Sequence, residues 1–288
     1  MSALADTEAR IASIGKLKAV IGAMRGIAAT HSQQARDSLA GYRAYAEVIA
    51  GGLGEALALL DPEARADETG TDGPLAVVVY GAEHGFAGAF SERLLDQVPK
   101  TATAIYLLGS RATALAERRG LPVAWTSEMA SQASGVGEVA RRVADALYAG
   151  FTRGDFRRAD VLFARPSGAT QVEACRRTVL PIDLARFSSR RAGPPPVTNL
   201  PPARLVERLI GEHVFAELAL GALESFASEN AARLATMESA RLNIEQKLDE
   251  LSGQERLLRQ EQITAEVQDV VSGALAAEAA WARRGPAP

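Results

Sequence analysis

The 288-residue chain holds one cysteine, Cys175, so no disulfide can close within it, and no paired Cys/His spacing offers a structural zinc site. Proline is absent from Met1 to Asp61 and again between Pro202 and Pro286. Because proline removes an amide donor and clashes with the preceding turn, these gaps admit long uninterrupted helices. Aromatic residues make up only 5%, while alanine alone counts 56, so the 47% hydrophobic content has small side chains and favours helix over sheet. No uncharged apolar run approaches the roughly 18 residues that mark a candidate membrane span. The first ten residues carry Asp6 and Glu8 and lack the basic-then-apolar order of a signal peptide, which predicts a cytoplasmic chain. Basic surplus is missing as well: 32 Lys and Arg stand against 35 Asp and Glu, a net charge of -3, so nucleic acid is not an expected partner.

What is present divides the chain in three. From residue 203 onward, positions 234, 237, 241, 244, 248, 251, 255 and 258 step alternately by three and four and hold Leu, Met, Arg, Ile, Leu, Leu, Glu and Leu. That is a heptad seam with two charged interruptions, Arg241 and Glu255, and such a stripe needs a second helix along it. The N-terminal segment supplies one. Ile14, Leu17, Ile21, Met24, Ala28, His31, Ala35, Ser38, Tyr42, Tyr45 and Ile49 follow the same stepping, with Gly22 and Gly26 expected to allow close backbone approach on an adjacent face. The two ends are expected to pair antiparallel, because the chain must leave one helix and return along the other.

The middle has another character. Leu75–Tyr80, Ala104–Leu108 and Asp160–Arg165 are short apolar runs bounded by turn residues, and between them Ser91–Val98, Arg111–Arg119 and Val136–Phe151 have helical periods. Alternation of this kind predicts a small, mostly parallel sheet, with a hairpin formed by Thr170–Arg177 and Val179–Leu184 at its edge. Gly193–Pro196 and Pro201–Pro202 form a stiff connector to the last helix. The expected fold is thus α/β with a long antiparallel coiled coil, a small Rossmann-like domain at 63–202 being inserted between terminal helices at 1–62 and 203–288.

Chemistry is sparse. Gly81-Ala-Glu-His-Gly85-Phe-Ala-Gly88 stands after the first strand, where an α/β protein places a phosphate loop, yet it matches neither G-x-G-x-x-G nor G-x-x-x-x-G-K-[ST]. A tight strand-to-helix turn using positive φ at glycine is the expectation. Glu83 and His84 are adjacent on that turn and have no reason to converge on one substrate atom. His31 lies on the seam, His213 has no second ligand nearby, and Cys175 has no local His or Lys. No catalytic residue, metal site or cofactor site is expected.

Two stretches carry a resemblance. Arg10-Ile-Ala-Ser-Ile14, Ile21-Gly-Ala-Met-Arg-Gly-Ile-Ala-Ala29 and Gln34-Ala-Arg36 resemble the opening helix of the γ subunits of F-type ATP synthases. Leu223-Glu-Ser-Phe-Ala-Ser-Glu-Asn-Ala-Ala-Arg233, Met237, Asn243, Arg259-Gln-Glu-Gln-Ile-Thr264 and Val270-Val-Ser-Gly-Ala274 resemble their closing helix. The resemblance implies a divergent member of that family: Leu17 and Ile21 stand where threonines are usual, His31 where a lysine is, and Gly253, Glu255 and Arg256 replace a Leu-x-Tyr-Asn pattern. It further implies a non-catalytic rotor that couples proton or sodium translocation to ATP synthesis or hydrolysis. Its partners would be the alpha and beta subunits of the catalytic hexamer, an epsilon subunit and a membrane c-ring, at the cytoplasmic face of a bacterial inner membrane. Met24, Arg25, Arg259, Gln260 and Thr264 would touch the catalytic ring. A free-standing coiled-coil adaptor that kept the helices without the motor is the competing expectation.

Overall fold

The computed structural model describes residues 3–60, 73–167, 171–187 and 196–283, so Thr170 and residues 193–195 of the expected connector lie outside the described residues. In chain order the elements are α1 (Ala3–Leu57), β1 (Leu75–Tyr80), α2 (Phe90–Leu95), β2 (Ala102–Leu108), α3 (Ser110–Arg118), β3 (Val123–Ser127), α4 (Val136–Arg153), β4 (Arg158–Ser167), β5 (Gln171–Leu180) and α5 (Pro202–Arg283). The backbone forms two compact units: residues 25–236, and residues 1–24 together with 237–288.

In the first unit the strands lie in the order β3-β2-β1-β4-β5. All neighbours are parallel except β5, which runs antiparallel to β4. The six residues of β1 are all buried, because both faces of the sheet are covered and a strand with two covered faces takes a continuous apolar run rather than alternation. Val77 and Val79 point into a layer with Phe90 and Leu94 of α2 and Ala112 and Ala116 of α3. Val78 and Tyr80 point the other way, into a layer with Val139, Val143 and Leu147 of α4 and Leu218, Leu223 and Phe226 of α5. Gly221 lets α5 sit close on the sheet: a Cβ there would lie 3.2 Å from Val161 and 3.3 Å from Tyr80.

Two expectations need correction here. The edge is not a hairpin of Thr170–Arg177 and Val179–Leu184; Gln171–Leu180 is one continuous strand, paired along its length with β4 from Ala159↔Leu180 to Ser167↔Gln171. And a strand was missed. Val123–Ser127 is an edge strand in which half-buried and exposed residues alternate, with only Val123 and Trp125 as large apolar positions, too few to make a run.

In the second unit the seam of α5 is where its spacing puts it. Met237, Ile244 and Leu251 are buried, while Arg241, Leu248, Glu255 and Leu258, like Leu234 at the end of the first unit, are half-buried. On α1, Leu17 departs from the expectation and is 49% exposed. The helix phase is the cause: the three-and-four stepping that runs through Ile11, Ile14 and Ile21 passes through Lys18, whose ammonium reaches Glu245 at 3.0 Å. Gly22 and Gly26 also fail as sites of close approach, since a Cβ at either would meet nothing within 4 Å. The charged seam positions are ion-paired instead of buried alone: Arg241 binds Glu238 and Glu245, and Glu255 binds Arg259, which also reaches Glu8 across the pair.

Candidate partner-contact sites

The residues expected to contact a ring fall in two groups. Lys18 opposite Glu245 and Glu8 opposite Arg259 fix the antiparallel register. Met24 therefore sits roughly 24 Å along α1 from the level of Arg259, at about 1.5 Å per residue. Met24 is half-buried on the seam, and Arg25 beside it is exposed. Arg259, Gln260 and Thr264 are exposed as well. Arg259 is held within the chain by Glu8 and Glu255, at 2.9 and 2.6 Å, and the Thr264 hydroxyl donates to the Gln260 carbonyl at 2.8 Å. Of the five, the structure gathers Arg259, Gln260 and Thr264 and leaves Met24 apart from them.

Residues 259–277 are all exposed, and among them Ile263, Val267, Val270, Val271 and Leu275 recur at helical spacing with more than half of each surface open. Apolar surface of this extent along one helix marks a contact surface. Sequence reasoning stopped at the heptads and missed Ile263 and Val267, because Ile263 follows Leu258 by five residues and the series is out of phase with the seam.

The turn after β1 does not assemble chemistry. The Glu83 carboxylate accepts from the Ser110 amide at 3.2 Å and the Met129 amide at 2.8 Å, tying α3 and the end of β3 to the turn. The His84 amide points elsewhere, to Glu229. Gly88 takes the expected positive φ, +59°, and Phe86 also adopts one, at 65°, with its ring 62% exposed. Gly81 is needed for another reason: a Cβ there would stand 2.2 Å from the Ala112 Cβ. His31 packs beside Phe226, with ring centroids 5.9 Å apart. Burial pushes the Cys175 thiol up, against the smaller opposing pull of Arg165, which is the reverse of an activated thiolate. Among the described residues no cluster of three potential metal ligands exists, and no helix is long and apolar enough to cross a membrane.

What sequence reasoning left without a role is the buried polar row of α5. Ser225 donates to the Tyr80 carbonyl at 2.6 Å and accepts from the Ala164 amide at 3.3 Å, while Ser228 donates to the Ala164 carbonyl at 3.0 Å. Glu224, one turn earlier, takes Arg43 of α1 and Arg165 of β4 together. Strand-end polar groups that would otherwise face a ligand or water are thus satisfied by one helix of the same chain.

Two long paired helices, a Rossmann-like sheet whose crevice is closed by the chain itself, and exposed apolar helix surface define a non-catalytic, partner-binding subunit. A family model described as ATP synthase matches residues 3–277. The ATP synthase gamma chain of Frankia casuarinae is 30% identical over 94% of this chain and 96% of its own, and that of Rhodospirillum rubrum is 25% identical over 95% and 99%. The fold is that of a chain in a Euglena gracilis mitochondrial ATP synthase structure, "OSCP/F1/c-ring, rotational state 3", with a TM-score of 0.61, 18% identity, and 99% of this chain and 97% of that one covered. A Tetrahymena thermophila structure titled "central stalk/cring" gives a TM-score of 0.58 at 15% identity, covering 77% and 99%. The chain belongs to the gamma-subunit family of ATP synthases, and like its relatives it is a rotor subunit without an active site of its own; a free-standing adaptor finds no support among them.

Proposed function

We propose that this chain works as the central rotor of a bacterial F-type ATP synthase, with alpha and beta subunits around its paired helices, an epsilon subunit and a c-ring at its α/β domain, on the cytoplasmic face of the inner membrane. In this reading residues 1–62 and 203–288 form the axle and residues 63–202 the foot. The observation that carries it is the exposed apolar series Ile263, Val267, Val270, Val271 and Leu275, on a stretch of helix in which every residue from 259 to 277 is exposed. A rotor delivers work by touching open and closed states of its neighbours with different energies, so it needs surface that its own fold leaves uncovered.

Met24 and Arg25 at one level and Arg259, Gln260 and Thr264 at another are the proposed contacts with the ring. Two levels suit a rotor, because contacts at two heights resist tilting as well as turning. Co-expression with the alpha and beta subunits tests the reading: the chain is expected to bring a catalytic hexamer through purification, in a ratio of one chain to three pairs. A chain that purifies without the hexamer while the hexamer is present in the same cells overturns it.

A further inference from the structure

An open doubly wound sheet takes its ligand in the crevice outside the carboxyl ends of its strands, where the strand order reverses, and the amides of the loop after the first strand commonly face an anion there. In this chain the reversal lies between β1 and β4. The loop after β1 offers the amides of Glu83 and His84, and these donate to the two carboxylate oxygens of Glu229 at 3.4 and 3.3 Å. Arg233 closes the other side. Its guanidinium pairs with the same carboxylate, and it also donates to the carbonyls of Gly85 and His84 at 3.1 and 3.3 Å and to Asn230 at 2.9 Å. Glu229 and Arg233 are 3% and 7% exposed, so the ion pair itself is shut off from solvent, although His84 of the loop is exposed and Glu83 and Gly85 are half-buried.

We propose that Glu229 is the resident anion of this cradle, standing where a phosphate would sit, and that the Glu229–Arg233 pair keys the α/β domain to α5. The two amides and the guanidinium are an anion-binding donor set, and α5 supplies the anion from within the chain. The apolar contacts of Leu218, Leu223 and Phe226 with the sheet resist separation, but apolar contact is non-directional and opposes slippage about the helix axis only weakly. Hydrogen bonds and a buried ion pair have preferred geometry and oppose it directly. Glu229 is therefore a positioning residue: it fixes the angle at which the sheet holds the helix, so that turning one turns the other.

This rests on the rotor reading, and the experiment separates the two. In Glu229→Ala the cradle is left empty and cationic. The full-length variant is expected to melt lower than the native chain and to recover several degrees in sodium formate relative to sodium chloride at equal ionic strength. The native chain and Leu223→Ala, which is destabilised by lost packing alone, are expected to show no such difference. Equal melting of Glu229→Ala in both salts, or failure to fold in either, overturns the resident-anion claim. In the assembled complex in vesicles, Glu229→Gln, which keeps shape and an acceptor oxygen but loses the charge opposite Arg233, is expected to hydrolyse ATP while moving several-fold fewer ions per ATP. Unchanged coupling in that variant overturns the key. A native complex that does not pump at all refutes the rotor reading and leaves the formate result standing by itself.

Discussion

His213 stands on α5 with its ring edge-on to Phe187, 4.9 Å between centroids, and its buried Nδ1 has no hydrogen-bond partner. Burial pushes its pKa below the ordinary 6.5; Glu217 pulls the other way, and Arg186 and Arg177 add to the depression, with Asp183 also lining this small cleft. A histidine whose folded pKa is depressed binds its proton more readily when unfolded, so its contribution to stability is present above the unfolded pKa and is lost as pH falls through the folded one. Thermal midpoints are accordingly expected to drop on acidification below about pH 6.5, and His213→Gln to flatten that slope. An unaltered slope in the variant would place the acid sensitivity elsewhere. A second residue tests packing. Gly81→Ala would drive a methyl group against Ala112 and close to the Leu108 carbonyl, and overpacking of this kind costs about 1–3 kcal/mol, read as a lowered urea midpoint.

At the scale of elements, the pattern of the two long helices was legible because periodicity accumulates: eight consecutive seam positions from 234 to 258 leave little freedom of phase, and none of them is exposed. The single error in phase, Leu17, arose where a lysine holds the seam position, which hydrophobicity alone cannot register. β1 announced itself by six apolar residues in a row, whereas β3, at an edge and half open, has no such run. The polar row of Ser225, Ser228, Glu229 and Arg233 was visible as letters and illegible as structure, because its partners lie in the turn after β1 and on β4, far away in sequence. The seam has a direct test. Leu251→Ala, at a position 4% exposed, is expected to cost about 2–4 kcal/mol, while Leu242→Ala, 54% exposed on the same helix, stays within about 0.5 kcal/mol. Equal effects in chemical denaturation would mean that the buried face is misassigned.

For the molecule as a whole, stability and function draw on different stretches of α5. Up to Leu258 one face of the helix is covered by its own chain, through the sheet, through α1 and through ion pairs such as Lys18 with Glu245. From 259 to 277 every residue is exposed, so this stretch contributes little to the chain's own folding and is available to neighbours. Its apolar residues offer few directional hydrogen bonds, which suits a surface that must turn against a surrounding ring without being caught at one angle. Cysteine at the exposed Ala276, with Cys175 replaced by alanine and cysteines placed in the inner lining of the ring subunits, tests this. Cross-links to each of the three equivalent ring subunits are expected across a population of complexes, one per complex, and ending the chain after Gln260 is expected to leave the thermal midpoint of the isolated chain unchanged while slowing ATP-driven pumping. Absence of any cross-link would place this end of α5 outside the ring. A truncated chain that melts markedly lower would show that the stretch serves the fold after all.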